Sequence, residues 1–207
     1  MSAGEEYRFE GRIAGFGTAS GVRLVVGMWH RSPLGAFTDV FLEEANGHRI
    51  LFAPSSAVAD FVSNTYTFDE TRIMPVRTTR VTGGLHVVAG DELDLTITIG
   101  SLTPLGRLLR AVPGFLATRP AWLRLIDPVA ALLVPGVHTA GSAGNGRAEF
   151  YGVTALRAIT AVSGCWHDTD LGPLARLDPP VSFGFGSAPP EPQLADVVTT
   201  IRERRLR

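Results

Sequence analysis

Between Gly27 and Asp39 the chain reads Gly-Met-Trp-His-Arg-Ser-Pro-Leu-Gly-Ala-Phe-Thr-Asp, placing an imidazole, a guanidinium, two hydroxyls and a carboxylate around a Pro/Gly turn between apolar runs. Polar groups delivered from such a turn beside apolar sequence suit a small-molecule pocket. A carboxylate in apolar surroundings has its charged form disfavoured, so its pKa rises toward the range useful for proton transfer at neutral pH. Asp39 is therefore the candidate acid or base. A histidine's unperturbed pKa lies near neutrality, which makes His30 the candidate proton shuttle or carbonyl-orienting group. Tyr66 is the candidate hydrogen-bond donor to a substrate oxygen. Each has a plainer structural alternative: Asp39 as a strand-end acceptor of backbone N–H groups, His30 as a half-buried corner residue, Tyr66 as the anchor of a helix end. Arg31 is placed to pair with Asp39 across the turn.

The sequence contains no lysine: all 19 cationic side chains are Arg. A guanidinium forms no Schiff base and is not deprotonated in proteins, so iminium chemistry on a lysine is excluded. The net charge is −1 and the arginines are scattered, which leaves no clustered basic face for nucleic acid. Cys165 stands alone, ruling out an internal disulfide and fitting a reducing compartment. The opening Met-Ser-Ala-Gly-Glu-Glu lacks the pattern of a signal peptide, so a cytoplasmic location is expected. Gly15 to Gly21 has the glycines of a dinucleotide loop, but strand-like sequence follows where phosphate binding needs a helix; it reads as a turn. No Gly-x-Ser-x-Gly elbow occurs among Ser20, Ser32, His30, His48 and Asp60. Trp166 to Asp170 offers three metal-ligating groups in a loop-like context with no second His cluster, and no metal or cofactor is expected.

The elements that must position these residues are mostly strands. A length of 207 residues with 45% hydrophobic content suits one domain, 1–207. Short runs rich in β-branched and aromatic residues occur at Val22–Trp29, Thr38–Glu43, His48–Phe52, Ile73–Val81, Leu85–Ala89 and Leu93–Ile99, separated by turn signals such as Asn46-Gly47 and Gly83-Gly84. Together they predict an antiparallel meander. Ser55 or Ser56 caps a helix ending near Asn64. The apolar stretch from Leu105 to Ala140 is broken by Arg107, Arg110, Arg119, Arg124, Asp127 and four prolines, so no run reaches the roughly 20 apolar residues of a spanning helix. It reads instead as covering helices, Leu105–Val112 and Ala121–Leu133, the second with a stripe of Trp122, Leu125, Ile126, Val129, Leu132 and Leu133. Gly141 to Gly146 is a loop, a lid or an anion nest. Ala155–Trp166, Val181–Phe185 and Val197–Ile201 return to strand before a basic, solvated tail. Gly27-Met-Trp-His and Gly164-Cys-Trp-His echo each other, as two equivalent turns of a repeated sheet would.

Four segments resemble the acetoacetate decarboxylase-like superfamily: Tyr7-Arg8-Phe9 with Arg12, His30 to Asp39, Arg119-Pro-Ala-Trp-Leu-Arg-Leu-Ile126, and Gly164-Cys-Trp166 to Pro180. They occur in the family's order across most of the chain. The resemblance implies an α+β, mainly antiparallel fold: a strongly curved sheet closed as a cone or barrel, covering helices, an apolar cavity inside, and self-association into a homo-oligomer. It places Asp39 at the family's acidic position and makes Arg12 a carboxylate or carbonyl clamp, with Phe68 and Trp122 as further substrate-binding groups. The family's reactive lysine follows a Tyr-Pro pair; the matching place here is Tyr66-Thr67-Phe68-Asp69, and a second family carboxylate falls near Val25. Two functions follow as expectations. One is an enzyme acting on a carbonyl or enolisable metabolite by acid/base catalysis without a Schiff base, in lyase- or isomerase-like fashion. The other is a non-catalytic small-molecule binding protein that keeps the cavity.

Overall fold

The computed structural model describes residues 6–133, 139–142, 147–184 and 189–203. The chain runs through β1 (Glu6–Thr18), β2 (Arg23–Arg31), β3 (Phe37–Glu43), β4 (Arg49–Ala53), α1 (Ser56–Ser63), β5 (Glu70–Ile73), β6 (Val76–Val81), β7 (Gly84–Ala89) and β8 (Leu93–Leu102). Then come α2 (Pro104–Ala111), α3 (Gly114–Ala117), α4 (Pro120–Leu133), β9 (Ala140–Ser142), β10 (Arg147–Trp166), β11 (Thr169–Asp170), β12 (Leu174–Ala175) and β13 (Gln193–Glu203). The strands form one sheet in the order β5-β4-β3-β2-β1-β13-β10-β8-β7-β6, with the short β9, β11 and β12 attached to its side. Among the described residues all ladders are antiparallel except β4–β5, which α1 connects. The expected mainly antiparallel α+β architecture is thus observed.

The sheet curls for a reason visible in its order. Its two edges, β5 and β6, are consecutive in the chain and separated only by Met74-Pro75, so the ten-strand path must bend back on itself. The edges form no ladder with each other, which makes a half-barrel tied by the chain rather than the expected closed cone. One face of this curl points inward. Side chains from both halves of the path, among them Phe16, Leu24, Val40, Phe52, Val87, Leu95 and Ile97, join a single core with no measurable exposure. Phe52 of β4 meets Trp166 of β10 edge to face across this space, with centroids 5.4 Å apart. The interior expected to be a hollow is filled by apolar side chains, because β-branched and aromatic residues from facing strands interdigitate there.

Local chemistry explains most element boundaries. Ser55 accepts the Val58 N–H at 3.4 Å and starts α1, and Asn64 ends it. Thr103 accepts the Gly106 N–H at 3.0 Å, with Pro104 in the first turn of α2. In β8, Leu93, Leu95 and Ile97 are buried while Asp94 and Thr98 are exposed, the alternation the sequence predicts.

Several expectations are corrected. Ile73–Val81 is two strands, because the Met74-Pro75 link parts the edges. Gly15 to Thr18 belongs to β1, since Phe16 fills the core and a side chain at Gly17 would strike the Arg176 carbonyl; only Ala19 to Gly21 turns. Residues 181–184 form no strand. The Trp-His echo is not a repeat: Trp29 lies within a strand, whereas Trp166 ends one and is followed by His167 and Asp168 at φ 47° and 59°. Leu125 of the predicted α4 stripe is exposed. Residues 143–146 of the glycine loop and 204–207 of the tail lie outside the described residues. Among the described residues no helix is long and apolar enough to cross a membrane.

Candidate functional site

Strand register decides which side chains meet. Asp39 pairs with Gly27, Gly27 with Ile13, and Ile13 with Ala195. From Ala195 the alternation along β13 continues to Val197, Thr199 and Ile201, which pair with Val153, Tyr151 and Glu149 of β10. Asp39, Thr199, Tyr151 and Glu149 therefore share one face of the sheet, opposite the filled interior. The short helix α1 and the segment from Thr65 to Asp69 cover this face. Phe61 of α1 packs on Tyr7 and Phe9, both at 5.1 Å between centroids, while Phe41 meets Tyr66, Phe68 and Phe183 at 5.3, 4.9 and 5.3 Å.

Two buried carboxyls sit under this aromatic cover. Asp39, 3% exposed, accepts one hydrogen bond from Trp29 Nε1 at 3.1 Å. Burial pushes its pKa up to about 7, and the Trp29 bond opposes the rise only in part. Gly27 makes the room, since a Cβ there would collide with Asp39 Oδ1 and Trp29 Nε1.

Glu149 is fully enclosed. The Tyr66 hydroxyl donates to its Oε1 at 2.5 Å and lies 2.9 Å from the Tyr151 hydroxyl. Burial raises Glu149 to about 7 against the opposing tyrosine hydrogen bonds. Tyr66 is pushed well above the ordinary tyrosine range, first by burial and then by the neighbouring Glu149. Among the described residues Glu149 Oε2 has no hydrogen-bond partner, and neither has the buried hydroxyl of Thr199 on the adjacent strand. Two buried polar atoms left unpaired on one face of neighbouring strands are costly unless a ligand or water meets them. Arg147 closes this end of the face, donating to Thr65 Oγ1 at 2.7 Å with its guanidinium 4.7 Å from the Phe61 ring centre.

Chemically, the arrangement offers two carboxyls poised near neutrality and phenol donors for a developing oxyanion. The structure brings Asp39, Tyr66 and Phe68 to the same side of the sheet, bridged by Phe41, which lies two residues from Asp39. It does not bring His30 there. His30 is the extra residue of a β-bulge, where Glu10 pairs with Arg31 and Gly11 with Trp29, and it is exposed. Arg31 approaches Glu10 at 3.9 Å instead of Asp39. Arg12 lies on the opposite face, paired with Asp196 at 3.0 Å, and Trp122 packs beside Leu123 and Phe150 on that face too. Asp39 does not face the interior of the curl, because its β3 neighbours Val40 and Leu42 take the inward positions. Glu149, Tyr151 and Thr199 escaped the sequence reading. The alternation of Arg147, Glu149 and Tyr151 against Ala148 and Phe150 marks a polar strand face, but α1 and the segment from Thr65 to Asp69, far away in sequence, turn that face into an enclosed one.

No protein-family model matches the sequence, and no curated protein matches it significantly. Among solved structures the chain is similar to an acetoacetate decarboxylase from Legionella pneumophila subsp. pneumophila str. Philadelphia 1, with 10% identity and a TM-score of 0.44 over 97% of this chain and 86% of that one.

Proposed function

We propose that the chain is an enzyme acting on a small carbonyl or enolisable metabolite by acid/base catalysis without a Schiff base. The observation that carries this reading is the enclosed Glu149, held through one oxygen by Tyr66 while the other oxygen and the neighbouring Thr199 hydroxyl have no hydrogen-bond partner among the described residues. Glu149 is the proton donor or acceptor, and Tyr66 with Tyr151 supplies hydrogen bonds to a substrate oxygen as negative charge builds on it. Asp39 serves as a second acid or base on the same face, and Phe68 contributes to the apolar wall. The absence of lysine removes the iminium route, so charge on the substrate must be stabilised by hydrogen bonds and by proton transfer alone.

The test is deuterium exchange. A panel of keto acids and aromatic ketones incubated with the protein in D₂O is followed by proton NMR for loss of the α-proton signal. The reading expects exchange with at least one class of compound, a fall of roughly 10²-fold or more in Glu149→Gln, and a smaller fall in Asp39→Asn and Tyr66→Phe with folding retained. Ligand-dependent thermal stabilisation without exchange would favour the non-catalytic binding protein, and neither binding nor exchange would remove both readings.

A further inference from the structure

A second site lies on the other face of the sheet. A cleft of about 360 Å³ is lined by Arg110, Val112, Gly114, Thr154, Ala155, Arg157 and Asp196, between the α2–α3 connection and strands β10 and β13. Its floor follows from register. Arg12, Asp196 and Ala155 form one cross-strand row, and Ala14, Leu194 and Arg157 form the next, so Arg157 projects to the same side as Asp196. Thr154 is the extra residue of a bulge between Val153 and Ala155, and its hydroxyl donates to the Asp196 carbonyl at 3.3 Å. The bulge bends β10 here, and the small side chain of Ala155 leaves the floor open.

The charges in this cleft do not balance. Its one carboxylate, Asp196, is already paired with Arg12 at 3.0 Å. Arg110, in the last turn of α2, and the half-buried Arg157 have no carboxylate partner among the described residues. Other guanidinium groups of the chain do have carboxylate partners, as Arg49 has in Asp69 at 2.8 Å and Arg202 in Glu6 at 2.7 Å; what sets Arg110 and Arg157 apart from the remaining arginines is that both line one concave space. Two unmatched guanidiniums facing a concave space are a fork-shaped receptor for paired anionic oxygens.

We infer that this cleft binds a small organic dianion, a dicarboxylate or a phosphate ester, held by Arg110 and Arg157 and separate from the Glu149 face. The volume suits a small metabolite, since ligand pockets run from roughly 300 to 1,000 Å³. Asp196 acts in this site as a brake: its charge opposes the ligand, and Arg12 offsets it.

Calorimetric titration of the full chain at low ionic strength, with inorganic phosphate in one arm and succinate in the other, tests the inference. Saturable binding of either probe is expected, and the tighter of the two assigns the source as phosphate ester or dicarboxylate. Arg110→Ala and Arg157→Ala should each weaken it about tenfold, whereas Arg77→Ala, an exposed arginine on β6, should leave it unchanged. Asp196→Asn should tighten binding by removing the opposing charge, an effect of opposite sign that loss of folding cannot imitate. Absence of binding by both probes, or weakening equal in Arg77→Ala, would overturn the site.

Discussion

Gly27 and Asp39 face each other across β2 and β3, and the carboxyl group of the aspartate occupies the space that a side chain at Gly27 would take. The glycine is thus chosen by its neighbour's carboxyl, in a strand where β-branched and aromatic residues have higher β propensity. Gly27→Ala should destabilise the fold by about 1–3 kcal/mol through overpacking. In urea unfolding, Asp39→Ala should recover part of that loss when combined with Gly27→Ala. Simple additivity of the two changes would contradict the contact.

The two buried carboxyls make stability depend on pH in an unusual direction. Asp39 and Glu149 are raised to about 7 in the folded chain, whereas unfolded carboxyls titrate near 4. Between those values the folded protein holds protons that the unfolded chain releases, so raising the pH favours unfolding. Their stabilising contribution is complete below pH of about 4 and is lost as the pH climbs through about 7, on the order of 3 kcal/mol for each group. Thermal unfolding across this window should show a flatter pH dependence in Asp39→Asn and in Glu149→Gln than in the parent.

Tyr66→Phe removes the hydroxyl that donates to Glu149 Oε1. That bond favours the charged carboxylate, so its loss should move Glu149 further above its ordinary range. Carboxyl ¹³C NMR titration, with the Glu149 resonance assigned by its disappearance in Glu149→Gln, reads the shift directly. A lowered value would show that water enters when the hydroxyl leaves. The accompanying loss of stability should be ~1–2 kcal/mol.

On the same face, at the far end from Glu149, Arg23 and Glu43 form a buried ion pair at 3.1 Å, with side-chain exposures of 7% and 5%. Glu43 also accepts the Ser182 N–H at 2.7 Å and the Ser182 hydroxyl at 3.0 Å, which fastens the segment after Pro180 to β3. Arg23→Met should cost about 3 kcal/mol by stranding the carboxylate, and adding Glu43→Met should recover much of it. Chemical denaturation of the two variants provides the comparison.

The strand at Leu93 was legible because one of its faces is apolar and alternates cleanly, those near Thr38 and His48 because of their β-branched and aromatic content between turn signals, and the cap at Ser55 because its chemistry is local. β1 was not legible. Its glycines look like turn residues, and only the close approach of the Met28 carbonyl to Gly11 and of Arg176 to Gly17 gives them a place in a strand. For the site, Asp39 was singled out by the resemblance and not by its type, which ordinarily favours exposure, and the face it takes depends on pairing with Gly27, which no local pattern specifies. Glu149 was hidden for the same reason: its hydrogen-bond partner Tyr66 comes from a segment 83 residues away.

The place of β13 has a consequence for how the molecule is made. This strand pairs with β1 on one side and β10 on the other, in the middle of the sheet, so β1 lacks one of its two neighbours until Gln193–Glu203 has been synthesised. Such long sequence separations slow folding. During translation the earlier strands must wait with an exposed, unsatisfied edge, a condition that calls for protection from aggregation until the last strand emerges from the ribosome.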